Sequence, residues 1–305
     1  MNILIVGLGS IAKKHIAAIR KIKGTAKIFA LRSGDGSAAE EDVVNLYSQE
    51  DLKLQSFDFA IISNPTAKHR STIADLVALS IPLFIEKPLF NTVGEKEERL
   101  LEKIKKAGIP TYVACNLRFL DCLQFVKSEL KGKRINEINI YCGSYLPDWR
   151  PGQNFRKNYS ANKGMGGGVH IDLIHELDYT YWLFGNPEQT KALFRNSSSL
   201  DISAYDYANY VWQYEDFTAS IILNYYRKDA KRTLEIVCEN GTYFIDLLKN
   251  SVSFGSEIIL SSEQKMVDTY LAQMAYFVDN AVDKKAGDFN TVFEAYKILR
   301  LCIED

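Results

Sequence analysis

The chain has 305 residues, 47% of them apolar, more than one hydrophobic core usually supports and suited to two domains. Its formal net charge of -1 leaves no electrostatic footprint for nucleic acid, and no run approaches the roughly 18 consecutive apolar residues of a membrane helix. Cys115, Cys122, Cys142, Cys238 and Cys302 are odd in number and never form C-x-x-C, which argues against a disulfide framework, a zinc ribbon or an iron-sulfur site. They read as reduced, buried thiols in a cytoplasmic protein whose N-terminus is a strand rather than a signal peptide.

The first elements carry the most specific motif. An apolar strand over 3–6 runs into Gly7-Leu8-Gly9-Ser10-Ile11-Ala12, a G-x-G-x-x-A turn opening a helix over 10–23. Gly7 permits the sharp turn, Gly9 lets the backbone approach a pyrophosphate, and Ala12 permits close helix-strand packing. The N-H groups at Ser10 and Ile11, with the positive end of the helix dipole, suit a dinucleotide phosphate. The next strand, 26–31, ends in Arg32 and Ser33 where an acidic residue would be expected for a free ribose. Arg and Ser suit a 2'-phosphate, so NADP is preferred to NAD as cofactor.

Strands and helices go on alternating, with a helix over 39–49, a strand over 58–62, a helix over 66–79, a strand over 82–85, a helix over 93–107 and a strand over 110–115. This is the pattern of a doubly wound parallel sheet. Ligands of such sheets sit at the carboxyl ends of the strands, which selects Ser63-Asn64-Pro65-Thr66 and Glu86-Lys87-Pro88. Pro88 restricts the backbone of Lys87, whose ammonium is suited to polarise a substrate hydroxyl or a carbonyl that accepts hydride.

After Arg118 the pattern changes, dividing the chain into an α/β domain over 1–118 and an α+β domain over 119–305. A helix over 120–131 and a strand over 135–144 lead to a loop dense in aromatic and cationic residues: Trp149, Arg150, Arg156, Tyr159 and Lys163. Trp149 can stack on a sugar or base, and the cations can hold a phosphate or carboxylate; Asn116 with Arg118 is an alternative anion site. A glycine run then opens a helix over 169–184. Asp172 and His175, three apart, are expected on one face of it. His175 is the candidate proton-transfer base, and Asp172 either holds a substrate hydroxyl or orients the imidazole. His170 and His175 diverge by roughly 140° around a helix, so no metal site is expected. Strands over 190–195, 205–213, 217–225, 232–238 and 241–246 follow with short turns, forming a large, mainly antiparallel open sheet. Helices over 266–284 and 289–302 close the chain.

With these motifs in hand, the chain resembles the glucose-fructose oxidoreductase, inositol dehydrogenase and MocA family of NAD(P)-dependent oxidoreductases. The resemblance runs from the fingerprint through Glu86-Lys87-Pro88 to the G-G-G-x-x-x-D-x-x-H segment. It implies a Rossmann domain followed by an α+β domain. It also implies that Asn64, Pro65, Thr66 and His69, with Glu86, line the nicotinamide side, that Lys87 and His175 are catalytic, and that Asp172 orients substrate. The family's commoner spacing is D-x-x-x-H; the shortened D-x-x-H-E form, together with the loop from Ser144 to Lys163, resembles a subgroup associated with bacterial surface-sugar biosynthesis. The expected activity is reversible oxidation of a secondary hydroxyl on a sugar or nucleotide-linked sugar. Two other readings stand beside it: a non-catalytic NAD(P)-binding regulator, and a lyase or epimerase using nicotinamide transiently. A homodimer or homotetramer is expected, through the open sheet.

Overall fold

The computed structural model describes residues 1–32, 34, 40–283 and 290–303, with Gln49 described through its backbone. They fall into two units, Met1–Asn116 with Met266–Leu299, and Leu117–Lys265 with Arg300–Asp305.

The first unit begins β1 (Asn2–Val6), α1 (Ser10–Ile22), β2 (Lys27–Leu31), β3 (Val43–Leu46), α2 (Gln49–Lys53), β4 (Phe59–Ile62), α3 (His69–Leu76), β5 (Leu83–Glu86), α4 (Glu95–Ala107) and β6 (Thr111–Ala114). Its six strands are parallel and ordered β3-β2-β1-β4-β5-β6, the arrangement whose order reverses beside β1. The central strands are apolar throughout because helices leave neither face to water: Ile3, Leu4, Ile5 and the whole of β4 are fully buried. α1 buries Ala12, His15, Ile16 and Ile19, one face of its 3.6-residue period.

One expected element in this unit is replaced. Where a helix over 39–49 was expected, residues 43–46 form β3, paired in register with β2 from Ile28↔Val43 to Leu31↔Leu46. The β-branched pair Val43-Val44 favours the pleated edge. The helix is displaced to α2, started by a capping box in which Ser48 accepts from the Asp51 N-H and Asp51 accepts from the Ser48 N-H.

The second unit contains α5 (Asp121–Glu129), β7 (Ile135–Tyr145), α6 (Val169–Asp172), α7 (His175–Phe184), β8 (Gln189–Arg195), β9 (Tyr207–Gln213), β10 (Thr218–Asn224), β11 (Tyr226–Cys238), β12 (Gly241–Asp246), β13 (Ser251–Phe254) and β14 (Glu257–Ser261). They build an eight-stranded sheet ordered β14-β13-β12-β11-β7-β10-β9-β8, antiparallel except at β7·β10. The expected large, mainly antiparallel open sheet is thus present, with one parallel pairing, and is extended by β13 and β14, which were not anticipated: β13 alternates as Ser-Val-Ser-Phe but over only four residues, and β14 does not alternate. Inward rows such as Ile138, Ile140, Tyr210, Trp212, Ile221 and Leu234 form its core.

The chain ends on α8 (Met266–Phe277) and α9 (Val292–Ile303). The sequence division continued the second domain through residue 305, whereas Met266–Leu299 groups with the first unit. The reason is aromatic packing. Phe277 meets Phe59 and Phe84 edge-on at 5.2 and 5.4 Å, and Tyr270 meets His15 at 6.1 Å. Asn290 also exchanges hydrogen bonds with the Val113 backbone, accepting at 2.8 Å and donating at 2.7 Å.

Candidate active site

In the first unit the strand-end rule and the fingerprint converge. Gly7 has φ +91°, and a Cβ there would lie 2.5 Å from the backbone N and Cα of Asn64, so the β1 turn and the β4 turn fit only with glycine. Gly9 differs: a Cβ there meets nothing within 4 Å, so protein packing does not demand it. It is the N-cap of α1, which has no side-chain cap and no acidic residue in its first turn. Open space thus lies beside the side-chain-less Gly9 at the N-terminus of a thirteen-residue helix, whose first N-H groups have no partner within the helix itself. These features fit a dinucleotide phosphate. Ser10 is exposed and Ile11 half-buried in that first turn.

Arg32 follows β2, its Nη1 donating to Asn45 Oδ1 at 3.1 Å. Ser33, the other residue expected at a 2'-phosphate, lies outside the described residues.

The β4 and β5 turns are tied together by His69, and here the expectation for this residue is corrected. His69 does not line an open site: it is 1% exposed, its Nε2 2.9 Å from the Asn64 carbonyl and its Nδ1 3.1 and 3.2 Å from the Pro88 and Leu89 carbonyls. Burial pulls its pKa down, outweighing the upward pull of the Asn64 and Leu89 carbonyls, the Glu86 carboxylate and the Pro88 carbonyl. Asn64 donates to Thr72 at 2.8 Å, Pro65 is exposed, and Thr66 begins a short 3-10 turn. Glu86 is likewise engaged within the protein. His15 Nε2 donates to Glu86 Oε1 at 2.6 Å, and the Lys87 N-H donates to Oε2 at 3.2 Å, so one carboxylate joins α1 to the Lys87 backbone. Lys87 is half-buried at the carboxyl end of β5, before a cis peptide bond to Pro88. His15, whose role was not foreseen, occupies a core position of α1; three residues after Ala12, it shares that helix's buried face.

In the second unit the expected continuous helix over 169–184 is interrupted. Leu173 (φ -98°, ψ 28°) ends α6, and α7 starts afresh at His175. Asp172 and His175 are therefore the last residue of one helix and the first of the next, rather than neighbours on a single helical face. Asp172 is 6% exposed and accepts hydrogen bonds from Tyr159 at Oδ1 and Tyr225 at Oδ2, each at 2.5 Å. His175 is half-buried.

The loop ahead of α6 is built around that carboxylate. A Cβ at Gly167 would fall 1.9 Å from the Tyr159 carbonyl, so glycine is needed for the loop to return against itself. Trp149 packs edge-on against Tyr225 at 5.3 Å and donates from Nε1 to Ser144 Oγ at 3.0 Å, while Arg150 lies 6.0 Å from the Tyr159 ring. Trp149, Arg150 and Tyr159 are exposed. Arg156 ties this loop to the segment between β8 and β9, donating to the Leu200 carbonyl at 2.9 Å and the Asp201 carbonyl at 3.4 Å. Lys163 is exposed, its ammonium 5.2 Å from the Tyr205 ring. Tyr225 was missed because 53 residues separate it from Asp172, and only folding brings them together.

Two expected anion ligands are corrected. Arg118 is fully buried, with Nε and Nη2 each 2.8 Å from the Asp178 carboxylate, and Asn116 is buried and donates to Thr269 at 2.7 Å. Neither is presented to a substrate. His170 is also internal: its ring packs edge-on against Phe194 and Tyr205 at 5.2 and 5.6 Å, and burial pulls its pKa down to about 4 despite an upward pull from Asp172. Among the described residues, no cluster of three His, Cys, Asp or Glu side chains has metal-holding geometry.

A parallel sheet with reversing strand order, an uncapped helix over a two-glycine turn and a lysine at a neighbouring strand end define a dinucleotide-binding oxidoreductase domain. Residues 1–114 match the GFO/IDH/MocA oxidoreductase family with its NAD-binding Rossmann fold, and residues 123–244 match the GFO/IDH/MocA C-terminal domain. The chain belongs to this family. A curated relative, scyllo-inositol 2-dehydrogenase (NAD(+)) of Bacillus subtilis, is 25% identical over 189 residues, 59% of this chain and 53% of the relative. The chain spans about half the length of the curated relatives it matches. Among solved structures, UDP-N-acetylglucosamine 3-dehydrogenase of Acidithiobacillus ferrooxidans aligns with TM-score 0.80 and 16% identity over 99% of this chain and 95% of that one. Myo-inositol 2-dehydrogenase of Lactobacillus plantarum aligns with TM-score 0.80 and 20% identity over the same shares. At these identities the structural likenesses establish the fold.

Proposed function

We propose that this protein is an NAD(P)-dependent dehydrogenase or reductase acting on a secondary hydroxyl or ketone of a sugar or nucleotide-linked sugar. The observation that carries the reading is in the first unit: the Gly9 cradle at the uncapped start of α1 and Lys87 at the end of β5 occur on one switch-point sheet. A nicotinamide cofactor, when bound, would supply or accept the hydride. Lys87 polarises the substrate oxygen and His175 exchanges its proton. Asp172, held by Tyr159 and Tyr225 and three residues before His175, orients the substrate. Exposed Trp149, Arg150 and Tyr159 suit a sugar face and its anionic group, which supports a nucleotide-linked substrate and the surface-sugar subgroup.

Arg32, directed by Asn45 at the end of β2, supports NADP as the cofactor. Exposed Leu193, Val211 and Phe244 on the open face of the eight-stranded sheet support self-association as a homodimer or homotetramer. The five cysteines are all buried and none is in a disulfide, in keeping with a reducing cytoplasm, and no helix among the described residues is long and apolar enough to cross a membrane.

Fluorescence titration with NADPH and NADH tests the cofactor. NADPH binds roughly tenfold tighter or more, about 1.4 kcal/mol, and Arg32→Ala removes the preference. Equal or stronger NADH binding overturns the NADP assignment, and binding of neither overturns the oxidoreductase reading. Turnover is then screened on myo-inositol, scyllo-inositol and UDP-N-acetylglucosamine. Lys87→Met and His175→Asn each lower it about 10²- to 10⁴-fold while leaving cofactor affinity within a few-fold.

A further inference from the structure

Helix α7 carries buried acids immediately behind His175. Glu176 and Asp178 are two residues apart, about 200° around the helix axis, so they leave α7 on opposite sides. Each meets the fork of an arginine. Arg232, on β11 opposite Cys142 of β7, donates from Nε and Nη2 to the two Glu176 oxygens at 2.5 and 3.1 Å. Arg118, just ahead of α5, donates from Nε and Nη2 to the two Asp178 oxygens, both at 2.8 Å. Glu176 is 0% and Asp178 2% exposed.

Fold stability alone does not account for this arrangement. Removing two pairs of charges from water is expensive, and well-packed apolar residues commonly serve a core as well or better. Paired forks do what apolar contacts do not: they fix direction, because both donor atoms must face both acceptor atoms at once. α7 needs such a constraint. The break at Leu173 separates it from α6, so the preceding helix does not set its rotation, and His175 is its first residue.

We infer that Arg232–Glu176 and Arg118–Asp178 form a two-sided clamp on α7 whose role is to set the direction of the His175 imidazole. Arg232 and Arg118 are thus positioning residues for proton transfer. The inference rests on His175 as the proton-transfer group of the proposed reaction. A rotation of the helix that moves the imidazole by about 1 Å is enough to lower turnover roughly a hundredfold.

The test replaces one pair with apolar residues of similar size, Glu176→Leu with Arg232→Met, in the full chain. The chain has 4 histidines, which makes ring-labelled histidine NMR tractable, and the His175 signal is identified by its loss in His175→Asn. The expected result is a thermal midpoint at or above that of the wild type together with a His175 ring signal that broadens or splits. NADPH affinity stays unchanged. On a substrate found by the screen, turnover falls roughly tenfold to a hundredfold with little change in KM. Arg232→Lys, which keeps the charge and loses the fork, gives an intermediate signal and rate. A folded double variant with a single, unshifted His175 signal overturns the clamp. If the double variant does not fold, Arg232→Lys decides: a wild-type His175 signal there overturns the inference. Full turnover in His175→Asn instead removes the proposed role of His175, and the NMR comparison still decides whether the clamp orients the ring.

Discussion

The turns of the first unit and the α6–α7 segment of the second put candidate functional side chains in place by different means. In the first, each residue is delivered by its own strand: Gly7 follows β1, Asn64 follows β4, and Lys87 follows β5, all in a parallel sheet that sends its strand ends to the same edge. In the second, Asp172 and His175 lie on two short pieces of helix whose setting comes from Tyr159, Tyr225, Arg232 and Arg118. A strand-end site is robust because the sheet registers it. A broken-helix site depends on long-range hydrogen bonds and is more easily disturbed.

The largest effect expected from breaking that comparison is on the second region. Gly167→Ala puts a methyl 1.9 Å from the Tyr159 carbonyl, forcing the loop and the phenol on Asp172 to move. The expected loss of stability is about 4 kcal/mol, at the diagnostic end of single substitutions, read by denaturant unfolding. A variant within about 0.5 kcal/mol of wild type would show that the loop yields without cost.

Gly7→Ala tests the first region. The new Cβ meets the Asn64 backbone at 2.5 Å with φ at +91°, and backbone cannot step aside as a side-chain end can. NADPH affinity should fall about a hundredfold, near 2.7 kcal/mol, in fluorescence titration. Unchanged affinity would separate this turn from nucleotide binding.

A smaller effect sharpens the contrast through pH. Burial holds the native pKa of His170 at about 4, below the ordinary 6.5, so between those values the unfolded chain binds a proton that the native state does not. Stability therefore falls as pH drops through this window, by about 2 kcal/mol from this residue between pH 7 and pH 5. His69, also held low by burial, contributes in the same direction from the first unit. His170→Phe, which keeps a ring beside Phe194 and Tyr205, should flatten the dependence of the melting temperature on pH. An unaltered slope would assign the effect to other groups.

Legibility from sequence follows the same divide. The Gly7/Gly9 turn, the central strands and the position of Lys87 were readable because strand, turn and helix are consecutive in the chain. β3 was misread as helix because local pattern is weak over four residues, and parallel pairing with β2 overrode it. Arg118 read as a ligand because a cation next to a strand end suits one. Its partner Asp178 is 60 residues away.

The sequence by itself determined the two-domain class, the two-glycine turn between β1 and α1 and the residue types of the candidate chemistry. These rest on short-range facts: which residues tolerate a tight turn, which alternate with a sheet, which titrate or carry charge. Only the tertiary structure decided which polar groups are already engaged. It committed Glu86 to His15, Asp172 to two tyrosines, His69 to three carbonyls and Arg118 to Asp178, and it returned residues 266–299 to the first unit. The physical reason is that a buried polar group must find a partner, and that partner is chosen by proximity in space rather than along the chain.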